Sequence, residues 1–565
     1  MSVILDARQL PEKICLEAEV VIIGGGPAGI TLAHQLAGGP RSVLLIEAGL
    51  DGAKGPSERF EGEIAQASRH PTLGLYRVER LGGTSGLWGG RCVPFDPQDF
   101  EPRAYVPHSG WPLTFSEMQG WYRAASRYTE SGSGSFLVSE IMGPDAAAMI
   151  EGWNDPGIDL DAVERFSCPT DFGTRYRADL DRASNVRTVL GAICTKLVPD
   201  PGRQTIDHIE CASDPGRRFT VRAQSYVLAA GGLESTRLML AANIGNDRDL
   251  LGRFYMCHVE GKAAEVHFKR GTRVTFQYER DAERVYFRRR FSIPSEVQRA
   301  NKMTNVILRF EPPVIADPAH GSPILSAMWL SRTFLKREYA RKLASFGYRG
   351  LGPTEGWRLA AGHAGNVLAG MPSLFSFAAD WARRRWLAQR KLPYVALAGR
   401  NSTFSLDYNA EQVPNPESRV TLAGSTDAFG VPRLLVDWRI SEQDTEGVLT
   451  AHHLLARALD RTGLGGMTID EEAIRHGANA IGGHHVGTAR MADDPTSGVV
   501  DGDGKVFGLE NLYVSGSATF PTSSHANPTL TIVALACRMA KHLAGRRGHP
   551  AEIHPVTADA RKRIA

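Results

Sequence analysis

The stretch Val20-Val21-Ile22-Ile23-Gly24-Gly25-Gly26-Pro27-Ala28-Gly29 decides the fold. Four consecutive apolar, β-branched residues read as a strand buried on both faces, the habit of a parallel sheet covered by helices. The glycine turn follows at once, and Ile30 to Leu36 reads as a helix. A second apolar strand, Ser42 to Ile46, stops at Glu47, about 20 residues beyond the turn, which completes the dinucleotide-binding fingerprint. Gly24 permits the tight turn, Gly26 lets backbone approach a pyrophosphate, and Gly29 lets helix pack closely on strand. The helix N-terminus offers free N–H groups to phosphate. Glu47 is suited to ribose hydroxyls and would repel a 2′-phosphate, which disfavours NADP more firmly than it separates FAD from NAD.

Working outward, Arg222 to Thr236, with Tyr226-Val227-Leu228-Ala229-Ala230-Gly231-Gly232 at its centre, reads as strand, glycine turn and helix start. Leu512-Tyr513-Val514-Ser515-Gly516 is a further strand entering a small-residue turn. Past Asn527-Pro528, the run Thr529 to Leu543 is apolar at helical spacing, with proline where a helix start tolerates it. Pieces this far apart make the nucleotide domain discontinuous. Between them, from Glu260 to Arg475, lies a length suited to a separate domain, with strand-like alternation in Ala264 to Phe268 and in Val274 to Tyr278. A basic, helix-prone block, Phe377 to Leu387, carries Arg383-Arg384-Arg385 between two tryptophans and reads as a solvated helix face.

Composition narrows the partners. The 565 residues hold 65 Lys+Arg against 62 Asp+Glu, so no chain-wide charge draws the protein to nucleic acid or an anionic membrane. With 42% hydrophobic and 22% charged residues the chain is globular, neither disordered nor fibrous. The seven cysteines are scattered and never form a C-x-x-C pair, which argues against a disulfide framework and a thiolate zinc site. No transmembrane run or signal-type N-terminus is evident, so a cytoplasmic protein is expected.

The chemistry sits near the C-terminus, in Gly482-Gly483-His484-His485-Val486-Gly487-Thr488 and in Ser523-Ser524-His525-Ala526-Asn527-Pro528-Thr529. With these motifs the sequence resembles the glucose-methanol-choline (GMC) family of flavoprotein alcohol oxidoreductases, nearest its pyranose oxidase-like branch. The resemblance covers the fingerprint, the loop Leu81 to Arg91, the Leu228 to Thr236 turn and the block from His484 to Leu543. It is weak from Gly271 to Arg400. It implies a Rossmann-like FAD-binding domain of the α/β class, interleaved with an α+β substrate domain on a mostly antiparallel sheet. The expected FAD-binding segments are 16–105, 185–262 and 476–548; those of the substrate domain are 106–184 and 263–475.

The family's H-x-x-G-T pattern falls on His484 and its second catalytic position on Asn527. Alcohol oxidation removes a hydroxyl proton and a carbon-bound hydride. A neutral histidine, with an ordinary pKa of about 6.5, can take that proton, and an asparagine amide can hold the substrate oxygen without competing as a base. His525 is a rival second position, and Asn527 alone could be a helix cap. The resemblance further implies flavin contacts at Gly83, Ser85, Trp88, Gly89, Gly516, Ser517, Pro528 and Thr529. Candidate substrate contacts are His485 and Glu411; for Glu411 a solvent-facing strand position is the equal alternative. In pyranose oxidases a histidine of the Leu81–Arg91 loop carries a covalent flavin link, and Leu87 stands at the matching position, so FAD is expected to bind non-covalently. The expected activity is oxidation of a sugar, glycoside or polyol hydroxyl. A sterol or natural-product alcohol is the alternative, and a flavin-binding subunit without turnover a third. No metal is expected, and the electron acceptor stays open.

Overall fold

The computed structural model describes residues 4–50, 57–312, 315–331, 353–393, 397, 403–477, 479–480 and 483–545. Gly482 and residues 546–548, which belong to the motif and the segment named above, lie outside them.

The fingerprint strand, Cys15–Ile23, runs in the middle of a parallel sheet, with Val43–Glu47, Val186–Leu190 and Ile4–Asp6 on one side and Arg217–Leu228 on the other. The 12-residue strand Arg217–Leu228 serves two partners along its free edge. Its first half pairs antiparallel with Ile206–Asp214, and its last three residues pair parallel with Leu512–Val514. Val20, Val21 and Ile22 are fully buried, as a two-faced parallel strand requires. Helix Pro27–Leu36 packs against the last helix, Thr529–Leu543, which also packs on helix Phe115–Tyr128.

A second layer is an antiparallel sheet in the order Phe291–Ser292, Val306–Glu311, Thr403–Ala410, Val259–Phe268 and Gly465–Ile469. Period-two alternation divides its faces. Phe404, Leu406 and Tyr408, with Val306, Leu308 and Phe310, join Val448, Leu455 and Leu459 of helix Glu442–Thr462 in an apolar core. The intervening positions carry Arg309, Glu311 and Asp407. A β-bulge between Lys262 and Ala264 shifts the register of Val259–Phe268, so Glu260 and Lys262 share the charged side although Val266 and Phe268 stay in the core. Glu260, Lys262, Glu311 and Asp407 all border the cavity described below.

Two expectations need correction. Val274 to Tyr278 is not a regular strand: Val274 makes one isolated bridge to Ile150, and the alternation reflects Phe276 packing on Phe404 at 4.9 Å. The boundary at residue 106 cuts through one core. Trp111, Met118, Tyr122, Phe172 and Tyr176 pack with the nucleotide-side residues, and Tyr122 hydrogen-bonds Thr531 at 3.0 Å, because the apolar face of helix Phe115–Tyr128 covers helix Thr529–Leu543. Met149, Ile150 and Ile158 pass to the other core. The basic block is helical from Met371–Ala382 into Arg383–Leu387, and Asp380 pairs with Arg383 and Arg384 at the surface. No helix of the described residues is long and apolar enough to cross a membrane.

Candidate functional site

One cavity of about 1120 Å³ runs from the glycine turn to the C-terminal motifs, touching Gly24, Glu47, Trp88, His484, Ser517 and Asn527. Its nucleotide end is made of backbone. Gly24 adopts φ +110°, and a Cβ there would lie 2.6 Å from the Ala229 carbonyl oxygen. At Gly29 a Cβ would sit 1.9 Å from the Gly24 carbonyl oxygen, so this position seals helix to strand. Gly26, Gly231 and Gly516 differ: a Cβ at each meets nothing within 4 Å, and all three border the cavity. Hydrogen alone at these positions leaves the room that a pyrophosphate needs, beside a helix whose cap, Gly26, supplies no side-chain acceptor.

Glu47 ends its strand 7% exposed and accepts hydrogen bonds from Gly25 N at 2.6 Å and Gly49 N at 2.8 Å. Burial pushes its carboxyl up to about 7 against those two backbone donors. Ribose hydroxyls donating to the remaining lone pairs would favour the ionised form. In the loop after Leu81, Ser85 spends its hydroxyl on the Gly82 carbonyl at 2.6 Å, and Trp88 donates to the Thr170 carbonyl at 2.9 Å. Gly83, Ser85, Leu87, Trp88 and Gly89 all border the cavity. These residues fit FAD: open glycines face the cavity, an acidic strand end lies beside it, and the cavity continues to His484.

Arg91 Nη1 donates to Asn527 Oδ1 at 3.3 Å, which turns the Asn527 amide nitrogen toward His484 Nε2, 3.2 Å away. Residues 91, 484 and 527 thus form one chain, held by the turn at Gly487 (φ +90°) and the start of helix Thr529–Leu543, with Pro528 and Thr529 bordering the cavity. Burial, and then the neighbours His258, Arg91 and His485, hold the His484 imidazole well below its usual range. It is neutral near pH 7, the form that accepts a proton.

Comparison with known proteins agrees with this geometry. A family model described as FAD dependent oxidoreductase matches residues 19–306, and one described as GMC oxidoreductase matches residues 414–536. Paromamine 6′-oxidase of Streptomyces fradiae is 36% identical over 571 residues, covering 93% of this chain and 91% of that protein. The chain belongs to the GMC family. It is an FAD-dependent oxidoreductase that acts on alcohol groups. A 6′′′-hydroxyparomomycin C oxidase of Streptomyces lividus is 22% identical over 94% of this chain and 92% of that protein. A crystal structure of formate oxidase shares the fold, with a TM-score of 0.52 at 14% identity, over 95% of this chain and 99% of that one.

The neighbouring His485 of this GMC chain faces another network. His70 Nδ1 lies 2.7 Å from the Pro71 carbonyl, Tyr255 Oη 2.7 Å from His70 Nε2, and His485 Nδ1 2.7 Å from Tyr255 Oη. A carbonyl only accepts, so His70 carries its proton on Nδ1. Burial, opposed by that carbonyl and reinforced by Arg77, lowers His70 to about 4 and keeps it neutral. Tyr255 must therefore donate to His70 and accept from His485 Nδ1–H, which leaves His485 Nε2 as a bare acceptor. Nε2 is buried with no partner among the described residues, and His485 borders the cavity. The residue is a polar wall element at the end of a relay of three hydrogen bonds.

Two sequence candidates lie elsewhere. Glu411 does not border the cavity: its carboxylate is clamped by Arg103, with Nη1 at 2.7 Å, accepts from Asn305 N at 3.1 Å, and is fully buried. It is neither a substrate contact nor a solvent-facing residue, because the guanidinium fills its acceptor sites. His525 is also buried, 3.1 Å from Asp96 and against Arg290, and does not border the cavity. Conversely, Arg91, His258, Tyr255 and Glu260 gather around these motifs with no role expected from the sequence. Arg91 closes the glycine loop, and a charged residue ending such a loop was the available signal. His258 and Glu260 gave none, since Cys257-His258-Val259-Glu260 reads as an ordinary strand start.

Proposed function

We propose that this enzyme oxidises a hydroxyl of a sugar or glycoside, amino sugars foremost, to a carbonyl, with His484 as the base. The observation that carries the reading is the Arg91–Asn527–His484 chain at the end of the glycine-lined cavity. When bound, FAD supplies the two-electron oxidation at its N5. His484 Nε2 takes the hydroxyl proton, and Asn527, its amide oriented by Arg91, holds the substrate oxygen in line. Around them the wall is polar: Glu260, Lys262, Tyr278, Glu311 and Asp407 suit a molecule rich in hydroxyl and amino groups better than a sterol. The named activities of the two full-length relatives support the same class.

The two cores support an interleaved pair of domains, with helices Phe115–Tyr128 and Phe172–Arg182 added to the FAD-binding one. Seven free thiols support a cytoplasmic place. Leu87, half exposed at the cavity wall, offers no nucleophile where a covalent link would form, which supports non-covalent FAD.

One experiment tests the whole reading. Anaerobic addition of amino sugars, neutral glycosides, sterols and aryl alcohols should bleach the flavin band near about 450 nm with the sugars alone. His484→Ala should keep its FAD yet bleach about 1000-fold more slowly or worse. Acid precipitation of either protein should release the yellow colour. Bleaching by sterols alone, undiminished bleaching in His484→Ala, or a yellow pellet would each refute the corresponding statement.

A further inference from the structure

The hydrogen bonds of Asn527 fix more than its own orientation. Its oxygen accepts from Arg91, so its amide donates to His484 Nε2. Nε2 therefore holds the lone pair, and the neutral ring carries its proton on Nδ1. His484 Nδ1 is buried and has no hydrogen-bond partner among the described residues. A buried, unpaired N–H costs about 1–3 kcal/mol, so its surroundings matter.

Proton transfer makes the problem sharper. When Nε2 takes the substrate's proton the ring becomes a cation, in a pocket where Arg91 is already charged and the His258 ring stands 4.6 Å away, edge to face. The groups facing His484 are His258 and Glu260 from one strand and its start, Arg91 through Asn527, and His485 beside it. His258 is neutral, lowered to about 3 chiefly by burial, with its Nε2 on the Ser523 carbonyl at 3.1 Å. Of these groups Glu260 alone brings a negative charge. One of its carboxylate oxygens lies within 4.8 Å of a ring nitrogen of His484 and of one of His258. His484 Nδ1 makes no hydrogen bond among the described residues, and a carboxylate within 4.8 Å is near enough for strong Coulomb attraction to an imidazolium in a poorly solvated site.

We propose that Glu260 is the positioning carboxylate of His484: its charge stabilises the imidazolium formed when His484, its tautomer set by Asn527, takes the substrate hydroxyl proton. The inference rests on His484 being the base. The balance is simple. The substrate O–H bond breaks and an N–H bond forms at His484 Nε2. The substrate C–H bond breaks with its hydrogen and electron pair leaving together for bound FAD, and the carbonyl forms. Glu260 stays ionised throughout, and the proton leaves His484 for solvent afterwards.

The test uses FAD-loaded protein and follows anaerobic flavin reduction by the best sugar substrate from acid to neutral pH. Glu260→Gln should keep its FAD spectrum but reduce about 100-fold more slowly at neutral pH. Its acid limb, where His484 becomes protonated, should move to lower pH by about one unit, since removing the anion disfavours the cation. Glu260→Asp should keep the limb near that of the unaltered enzyme and restore most of the rate. A separate reading needs no variant of Glu260: ¹⁵N shifts of histidine-labelled enzyme, with His484 assigned by its loss in His484→Ala, should report the Nδ1–H tautomer. A Nε2–H tautomer, an unmoved acid limb in Glu260→Gln, or a change confined to KM would overturn the proposal. If His484→Ala itself reduces normally, the base assignment fails. If that variant is dead while Glu260→Gln behaves as unaltered enzyme, only the role of Glu260 fails.

Discussion

The two ends of the cavity are built from different materials. At the nucleotide end the working parts are the absent side chains of Gly24, Gly26 and Gly29, all within six residues of one turn. At the His484 end they are charges and imidazoles gathered from across the chain. Glu164, for example, is pushed up by burial yet held well below the carboxylate range by Arg309, Arg91 and Arg288. Arg309 reaches it at 2.7 Å and Arg288 at 3.1 Å. Backbone constraints are local and indifferent to pH, whereas paired charges act over long sequence separations and respond to proton activity. Variants at the two ends should therefore fail in different ways.

The largest effect is expected at Gly29. A valine there would drive its Cβ into the Gly24 carbonyl oxygen, 1.9 Å away, with the buried Ile22 side chain at 3.3 Å leaving no room to shift. Gly29→Val should give protein without FAD that is insoluble or melts far below the unaltered chain. Gly26→Ala is the control, since its Cβ meets open space. That variant should fold normally and lose FAD affinity alone, read as the ratio of flavin to protein absorbance after gel filtration. Equal damage from both would mean that the cavity at Gly26 is not where cofactor sits.

The buried pair Arg103–Glu411 should come next. Both side chains are almost inaccessible, at 2% and 0% exposed, so removing one partner strands the other's charge. Arg103→Ala is expected to destabilise by about 3–5 kcal/mol, seen as a lower urea midpoint. Glu411→Gln should cost less, because the amide oxygen still accepts from the arginine. If instead Glu411→Gln folds normally but raises KM, Glu411 touches substrate and the two-ended picture needs redrawing.

This contrast also explains what was legible in the sequence. Val20 to Gly29, Glu47 and helix Thr529–Leu543 appear where their residues put them, because strand, turn and helix start depend on neighbours in the chain. His484 and Asn527 were found through spaced motifs. Their setting was not: that Arg91 orients Asn527 across 436 positions, and that Glu260 lies beside His484, follows from sheet register and the bulge at Lys262, which no local pattern encodes. Glu411 failed for the same reason, since a carboxylate looks alike in sequence whether it faces substrate or an arginine 308 positions away.

The smallest effect isolates pH sensitivity from catalysis. His452 lies in the core of the substrate-side layer, fully buried on helix Glu442–Thr462, with Nδ1 donating to the Val448 carbonyl at 2.8 Å and Nε2 without a partner among the described residues. Burial lowers it to about 4, against an unfolded value near about 6.5. Between those values the unfolded chain binds a proton that the native state refuses. Stability is therefore whole above about pH 6.5 and falls as pH drops toward 4, by at most about 1.4 kcal/mol per pH unit from this residue. His452→Leu should flatten the dependence of the urea midpoint by that one proton and should gain most over the unaltered enzyme near pH 4.5. It should leave flavin reduction untouched, because the residue lies behind the sheet, on the face away from the cavity. Gly26→Ala should leave the same pH slope unchanged, since no proton is involved at the backbone-built end. A slope altered by Gly26→Ala, or unaltered by His452→Leu, would show that the two ends are coupled more tightly than their construction implies.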